Sequence, residues 1–200
     1  SKIFGFDRGT PINRVYVEDF LKRHSECIKG ICCEVVDDRY ISKFGHNLEK
    51  VEILHYTNDN KKATMVADLT KYDMLPENYL DCFILTHVLE FIFDVRSAVK
   101  GIHRMLKNGV VALVTVCGIS QISRYDYERW GDYWRFTDLS LRKIFEEVFG
   151  KGNVEVYTYG NVLTATAFLH GISAEELTEE ELFYQDMDYQ LVICVRSVKR

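Results

Sequence analysis

The chain has 200 residues, of which 47% are hydrophobic and 13% aromatic, and a domain of this size buries roughly 70% of its unfolded surface on folding. The net charge of −5 and the lack of a basic run argue against a nucleic acid partner, because phosphate binding requires clustered Lys and Arg. No apolar stretch approaches the roughly 20 residues of a membrane span, and no signal-peptide pattern is present, so we expect a cytoplasmic protein.

The first predicted element is a helix near the amino terminus. Thr10 and Pro11 form a typical helix start, with Pro11 at the first helical position, and apolar residues follow at helical spacing as far as Leu21. Residues 1–29 are therefore expected to form a helical cap. The chain begins without methionine, which is compatible with a domain excised from a longer protein.

Three short apolar runs then indicate strands, which begin near Gly30, Lys50 and Thr64. Two cysteines in the first run, Cys32 and Cys33, would point to opposite faces of a sheet, so they are poor joint metal ligands. The six cysteines have no CxxC spacing, and we expect them to be reduced and structural.

Residues 81–116 have the pattern of a β-α-β unit. A buried apolar run, Cys82–Leu85, precedes a helical pattern that begins at Val88 and stops at Asn108 and Gly109, and a second apolar run follows. Continuous apolar runs of this kind predict a partly parallel sheet.

Polar residues interrupt the apolar pattern where the strand of this unit should end. Thr86 and His87 stand directly after the run Cys82–Leu85. Because ligands bind beyond the carboxyl ends of strands in open parallel sheets, both residues are candidates for a binding site.

Segment 117–136 is unusually rich in aromatic and charged residues, and it contains both tryptophans of the chain. Planar aromatic faces beside carboxylates and guanidinium groups suit a carbohydrate or a similarly amphipathic ligand, although the aromatic side chains could instead fill the edge of the core. The candidate substrate-binding residues are Arg124, Tyr125, Trp130, Tyr133, Trp134 and Arg135.

The region that runs from "DCFILTHVLE" to "IHRMLKNG" and a strand resembles the part of class I S-adenosylmethionine-dependent methyltransferases that begins at their fourth strand. The resemblance implies a Rossmann-like α/β fold: a mostly parallel seven-stranded sheet with helices on both faces and an antiparallel last strand. It also implies a single domain over residues 1–200, with a cofactor-binding half at 30–116 and an acceptor-binding half at 117–200.

The same resemblance implies S-adenosylmethionine as the cofactor and S-adenosylhomocysteine as the product. Glu34 matches the acid of the first strand, Thr57 or the nearby Asp59 the ribose position, and Asp68 with Leu69 the adenine position. The residues expected at the cofactor are Glu34, Asp37, Asp59, Asp68, Leu69, Thr86 and His87.

The loop after the first strand departs from the family pattern. Val36 and Asp38 stand where the family has glycines, which allow a positive φ and close approach to a ligand. Aspartate tolerates left-handed geometry, whereas valine does not adopt it easily. Either the loop takes another shape, or the cofactor lies differently, or none binds.

More distinctive segments, such as "GISQISRYDYERWGDYWRFT", resemble methyltransferases that stand alone or are fused to glycosyltransferases in polysaccharide assembly in bacteria and large algal viruses. This implies O-methylation of a sugar hydroxyl, for example of a deoxyhexose such as rhamnose, and a fused or partner glycosyltransferase. Two alternatives stay open: methylation of a small metabolite or a protein side chain, and a non-catalytic domain with this fold.

A sugar hydroxyl is a poor nucleophile until its proton leaves, so a general base is expected. His87 is the first candidate, because histidine is the side chain that changes charge nearest neutral pH. Asp126 and Asp132 are the second candidates. A divalent metal could replace the base by acidifying the hydroxyl, but no spacing of ligands indicates a metal site.

Overall fold

The computed structural model describes residues 1–200 and contains one sheet of seven strands with helices on both faces. The strands are β1 (Gly30–Val35), β2 (Leu48–His55), β3 (Met65–Val66), β4 (Leu80–Thr86), β5 (Leu106–Cys117), β6 (Val154–Tyr159) and β7 (Val192–Val198). The helices are α1 (Ile12–Arg23), α2 (Arg39–Phe44), α3 (Val95–Met105), α4 (Arg124–Tyr127), α5 (Asp138–Phe149), α6 (Val162–His170) and α7 (Glu179–Phe183).

The strand order is β3-β2-β1-β4-β5-β7-β6. The first five strands pair in parallel, whereas β7 runs antiparallel between β5 and β6. The predicted mostly parallel, seven-stranded, Rossmann-like sheet is thereby confirmed. Because the chain first runs outward from β1 to β3 and then returns to place β4 beside β1, a crevice opens at the carboxyl ends of β1 and β4.

Two hydrophobic clusters cover the two faces of the sheet. Side chains alternate along a strand, so Cys32 packs in the cluster with Tyr16 of α1, whereas Cys33 packs in the cluster with Ile102 of α3. All six cysteines are free, and five of them are buried.

The helix of the β-α-β unit begins later than its sequence pattern indicates. A short 3₁₀ turn, Leu89–Phe91, follows β4, and α3 starts at Val95 because the Asp94 carboxylate caps it by accepting from the Ser97 amide at 3.1 Å. The chain then enters β5 directly, so the expected stop at Gly109 is wrong. This glycine has a φ of +82° inside β5.

The segment before α1 is fastened to the turn after α6. The Thr10 amide donates to both carboxylate oxygens of Glu175, at 3.1 and 2.9 Å, and Arg8 donates to Glu176 at 2.8 Å. Pro11 is the N-cap of α1 rather than its first helical residue. None of the seven helices combines the length and the apolar character needed to cross a membrane.

Candidate active site

A cavity of about 1000 Å³ lies at the carboxyl ends of β1, β2, β4 and β5. This is the crevice at which ligands bind in sheets of this topology. The predicted residues that line it are Glu34, Asp37, Asp68, Leu69, Thr86, His87, Tyr125, Asp126, Trp130, Asp132, Tyr133 and Arg135. The two predicted halves therefore contribute to one cavity.

The loop after β1 keeps a backbone that normally requires glycine. Val36 has a φ of +79° although valine adopts this region with difficulty, whereas Asp38 has an ordinary φ of −111°. Hydrogen bonds hold Val36 on both sides, from its amide to the Leu54 carbonyl at 2.9 Å and from the Asn60 side chain to its own carbonyl at 2.7 Å. Its side chain is 53% exposed, so no neighbour opposes the left-handed conformation.

Glu34 faces backbone amides. Its carboxylate accepts from the amides of Tyr40 at 3.0 Å and Ile41 at 2.9 Å, at the start of α2, and the residue is buried. Burial raises the pKa of Glu34 to about 7, against the lowering effect of the two amides. The geometry assigns Glu34 to positioning of the β1 loop, beside the cavity.

The raised pKa of Glu34 predicts a pH-dependent loss of stability. Between its ordinary pKa and about 7 the folded state binds more protons than the unfolded state, so stability falls as pH rises through this window. Relative to Glu34→Gln, which does not titrate, we expect the wild-type free energy of unfolding to fall by about 1–3 kcal/mol from pH 5 to pH 8. Urea unfolding across this range measures the difference, and a difference that does not change with pH would contradict the prediction.

The end of β2 differs from the expectation for ribose binding. Asp59 lies outside the cavity wall, where its carboxylate accepts from the Thr57 hydroxyl and is 3.6 Å from His55 Nδ1. The assignment of Asp59 to the cofactor is therefore corrected, because the loop places its carboxylate against Thr57 and His55. His55 and Tyr56 line the cavity instead.

The turn after β3 forms a firm part of the cavity wall. Asp68 Oδ1 accepts from the Thr70 amide at 2.9 Å and its hydroxyl at 2.7 Å. Leu69 is buried, and its carbonyl oxygen would lie 2.3 Å from a Cβ placed on Gly101 of α3. Only glycine therefore allows α3 to pack this closely against the turn.

His87 lies at the carboxyl end of β4 with a φ of +53°. Its amide donates to the Thr115 carbonyl at 2.8 Å. Its ring is 2.9 Å from Glu90 Oε1 through Nδ1 and 3.3 Å from Asn13 Nδ2 through Nε2. Since a carboxylate only accepts, Nδ1 carries a proton and Nε2 is the acceptor in the neutral ring.

Glu90 was not identified from the sequence. It is buried, and Oε1 accepts from His87 and, at 3.3 Å, from the Cys117 amide. Its backbone carbonyl accepts from the amides of Tyr133 at 2.9 Å and Trp134 at 3.3 Å. Glu90 thus connects the histidine of β4 with the aromatic segment. An acid three residues after a strand-end histidine was the available signal.

Some residues of the aromatic segment line the cavity, and others pack against the rest of the protein. Arg124 does not line the cavity, and its guanidinium stacks on Tyr127. Trp134 also lies outside the cavity, because its Nε1 donates to the Ile92 carbonyl at 3.1 Å and its ring stacks on Phe93. Both residues are therefore removed from the set that lines the site.

Trp130 reaches the cofactor half of the cavity. Its ring packs edge-on against His55 and Tyr56, with centroid distances of 5.6 and 6.2 Å. The aromatic segment therefore extends from the end of β5 to the end of β2 and contributes to the cavity wall.

The two aspartates proposed as bases organise the segment. Arg135 donates to both Asp132 oxygens at 2.5 and 2.9 Å, and the Ser123 amide donates at 3.0 Å. Burial favours a higher pKa for Asp132, but these bonds outweigh it and hold the pKa below the ordinary value. Asp132 lines the cavity, and its carboxylate is occupied by the Arg135 guanidinium and the Ser123 amide. Asp126 accepts from the Ser123 hydroxyl at 2.6 Å.

The amino-terminal segment forms a further wall that the sequence did not reveal. Ile3, Phe4, Phe6, Asn13 and Arg14 all line the cavity. For the divalent-metal alternative, no group of three or more His, Cys, Asp or Glu side chains is arranged to hold a metal ion.

Comparisons with known proteins agree with this architecture. Residues 27–114 match a family model described as a methyltransferase domain, and a search of curated proteins finds no match. The crystal structure of an S-adenosylmethionine-dependent methyltransferase from Archaeoglobus fulgidus is similar, with a TM-score of 0.58 and 14% identity over 93% of this chain and 94% of that chain.

Two further structures show how varied the relatives of this fold are. Phosphoethanolamine N-methyltransferase 2 of Haemonchus contortus, solved with phosphomonomethylethanolamine and S-adenosylhomocysteine, has a TM-score of 0.60 and 14% identity. The match covers 92% of this chain but only 52% of that one. The cyclase SpnF has a TM-score of 0.61 and 11% identity over 96% of this chain and 84% of its own. Residues 27–114 thus resemble a methyltransferase domain in sequence, and the whole chain shares the fold of a solved S-adenosylmethionine-dependent methyltransferase.

Proposed function

We propose that this chain transfers the methyl group of S-adenosylmethionine to a hydroxyl group of a sugar, with His87 as the general base. The observation that carries the proposal is the pair formed by His87 and the buried Glu90, 2.9 Å apart, in the wall of the cavity. A histidine oriented by a carboxylate is suited to remove a proton from a weakly acidic hydroxyl.

The residues of the cavity fit the cofactor. The positive φ of Val36 keeps the backbone shape that glycine gives to this loop in the family, despite the larger side chain. Asp68 would accept from the adenine amine through Oδ2, since Thr70 engages only Oδ1. Leu69 would contact the ring. The bound sulfonium supplies an activated methyl group, and the protein must place an acceptor in line with it.

The protein's own step is a proton transfer at Nε2 of His87. An acceptor hydroxyl that reaches Nε2 replaces the Asn13 amide as its hydrogen-bond donor. Glu90 keeps the other proton on Nδ1, so Nε2 carries the lone pair, and the negative carboxylate stabilises the imidazolium that forms. His87 would take up the hydroxyl proton, while the cofactor would supply the methyl group through cleavage of its carbon–sulfur bond and leave as S-adenosylhomocysteine.

An exposed aromatic surface beside the cavity supports an amphipathic acceptor. Phe93 is 69% exposed and Tyr133 50% exposed, and their rings meet at a centroid distance of 5.4 Å. Trp134 stacks on Phe93 at a centroid distance of 5.8 Å. Sugars carry apolar C–H faces between their hydroxyl groups, and an exposed aromatic ring such as that of Phe93 suits such a face.

The proposal is tested by transfer of a radiolabelled methyl group from S-adenosylmethionine to a panel of acceptors. We expect label in rhamnose-containing oligosaccharides, and loss of label when the free hydroxyls are blocked beforehand. If label appears only in proteins or small metabolites, the acceptor is one of these and not a sugar. No transfer to any acceptor by a protein that binds the cofactor would favour a different chemistry, for which the cyclase with this fold is a precedent.

The aromatic surface gives a separate prediction. Phe93→Ala should raise the KM for the acceptor roughly 2- to 12-fold, because a stacking contact contributes about 0.5–1.5 kcal/mol, and should leave S-adenosylhomocysteine affinity unchanged. Tyr127→Ala is the matched control, since Tyr127 is similarly exposed but lies outside the cavity wall. If the two substitutions change the KM equally, the aromatic surface does not contribute to acceptor binding.

A further inference from the structure

Unpartnered polar atoms concentrate at this cavity. Five buried side-chain nitrogen or oxygen atoms have no hydrogen-bond partner, and three of them belong to residues of the cavity wall: Asn13 Oδ1, Arg14 Nε and Glu90 Oε2. Buried polar atoms nearly always have partners, because leaving them without one is costly. Their convergence indicates that a polar ligand supplies the missing bonds.

Arg14 is the most informative of these residues. It lies in the first turn of α1, and its Nη1 donates to the Tyr40 hydroxyl at 3.1 Å. No carboxylate lies within 4.0 Å of its guanidinium, whereas Arg39, the other arginine on the β1 side of the cavity, pairs with Asp37 at 3.6 Å. Arg14 therefore presents a positive charge and a free donor, Nε, without an anion of the protein beside it.

The charges of the neighbouring loop define what Arg14 can bind. The loop after β1 contributes the acidic residues Asp37 and Asp38 and, at its base, Glu34, so a ligand anion near this loop requires a positive charge from another element. Arg14 belongs to α1, outside this loop, and its Nη1 donates to Tyr40 at the start of α2. A guanidinium group binds a carboxylate through paired hydrogen bonds.

We propose that Arg14 binds the carboxylate of the cofactor's amino-acid group, and that Asn13 Oδ1 accepts a hydrogen bond from its ammonium group. This assignment rests on the proposed function. In this chain, two side chains of α1 would then bind the amino-acid end of the cofactor. This is the end that would lie next to the altered loop of Val36 and Asp38. A carboxylate on the acceptor could supply the same chemistry, and the experiment separates the two sources.

The test combines a protein substitution with a ligand lacking the matching group. S-adenosylhomocysteine and its decarboxylated analogue are titrated by calorimetry into the wild type, Arg14→Gln and the control Arg39→Gln. In the wild type, loss of the carboxylate should weaken binding roughly 10- to 100-fold, the range of a hydrogen bond to a charged group. Arg14→Gln should lose affinity for S-adenosylhomocysteine by a similar factor and bind the analogue as the wild type does.

Each other outcome overturns the assignment. If Arg14→Gln weakens both ligands equally, or neither, Arg14 does not bind the carboxylate of the cofactor. If it raises only the KM for an acidic acceptor, the carboxylate belongs to the acceptor. If Arg39→Gln shows the selective loss, the anion lies at Arg39. Arg14→Lys, which keeps the charge, replaces the glutamine variant if that variant does not fold, and should retain part of the preference for the carboxylate.

The design also separates this assignment from the proposed function. Failure of the wild type to bind S-adenosylhomocysteine at all would contradict the proposed methyl transfer. Binding of S-adenosylhomocysteine with no difference from the decarboxylated analogue would contradict only the role of Arg14.

Discussion

Replacement of His87 by asparagine is expected to lower kcat by 10²–10⁴-fold, the contribution that a positioned general base typically makes. Asparagine is chosen because it tolerates the positive φ of this position better than most residues do. The affinity for S-adenosylhomocysteine should stay within a few-fold of the wild type. Steady-state kinetics at saturating cofactor, with calorimetry on the same samples, measure both quantities.

The pH dependence distinguishes a base from a residue that only binds. The wild-type pH–rate profile should have an acidic limb, in which the imidazole is protonated and cannot accept, and His87→Asn should lack it. His55→Asn is the control, because His55 is the other histidine of the cavity wall and its Nδ1 lies 2.9 Å from the Thr57 carbonyl rather than beside a buried carboxylate. A kcat of the His87 variant near that of the wild type would exclude His87 as the base, and an equal loss of cofactor affinity would make it a binding residue.

Glu90→Gln should lower kcat by about 10- to 10³-fold, a smaller effect than loss of the base itself, through the tautomer of His87. A glutamine amide that donates to Nδ1 places the ring proton on Nε2, where it blocks proton acceptance. The substitution preserves size, so packing around this buried position is retained. Kinetics together with thermal melting measure the effect.

The controls for Glu90 distinguish its effect on the orientation of the His87 ring from a general effect on the stability of the protein. Glu90→Asp keeps the charge and should restore part of the rate, whereas the glutamine variant should not recover at any pH. If Glu90→Gln retains full activity with an unchanged pH profile, the carboxylate does not act through His87. If its only effect is a lower melting temperature, Glu90 is a structural residue.

The sequence predicted the sheet well because buried strands leave a strong local pattern. The apolar run Cys82–Leu85 and the run inside β5 became central strands, and Thr86 and His87 became the polar end of β4 as expected. The start of α3 was placed too early, since Val88–Phe91 has helical spacing but forms only a 3₁₀ turn before the Asp94 cap.

The candidate site was less predictable because its contacts join distant parts of the chain. Asn13 meets His87 from 74 residues away, and nothing in the local sequence of α1 indicates that it forms a wall of the cavity. Composition also could not show that Trp134 would stack on Phe93, or that Asp132 would be held by Arg135. Aromatic richness drew attention to a segment of which several residues line the cavity, but it did not indicate which side chains face the cavity.

The most direct test of the account is a calorimetric titration of the wild-type protein with S-adenosylhomocysteine. The cavity at the ends of β1 and β4, the glycine-like backbone of Val36 and the free Oδ2 of Asp68 all predict binding of one molecule per chain. We expect saturation with a dissociation constant well below millimolar. The absence of binding at millimolar ligand by a folded protein would contradict the cofactor site and, with it, the proposed methyl transfer.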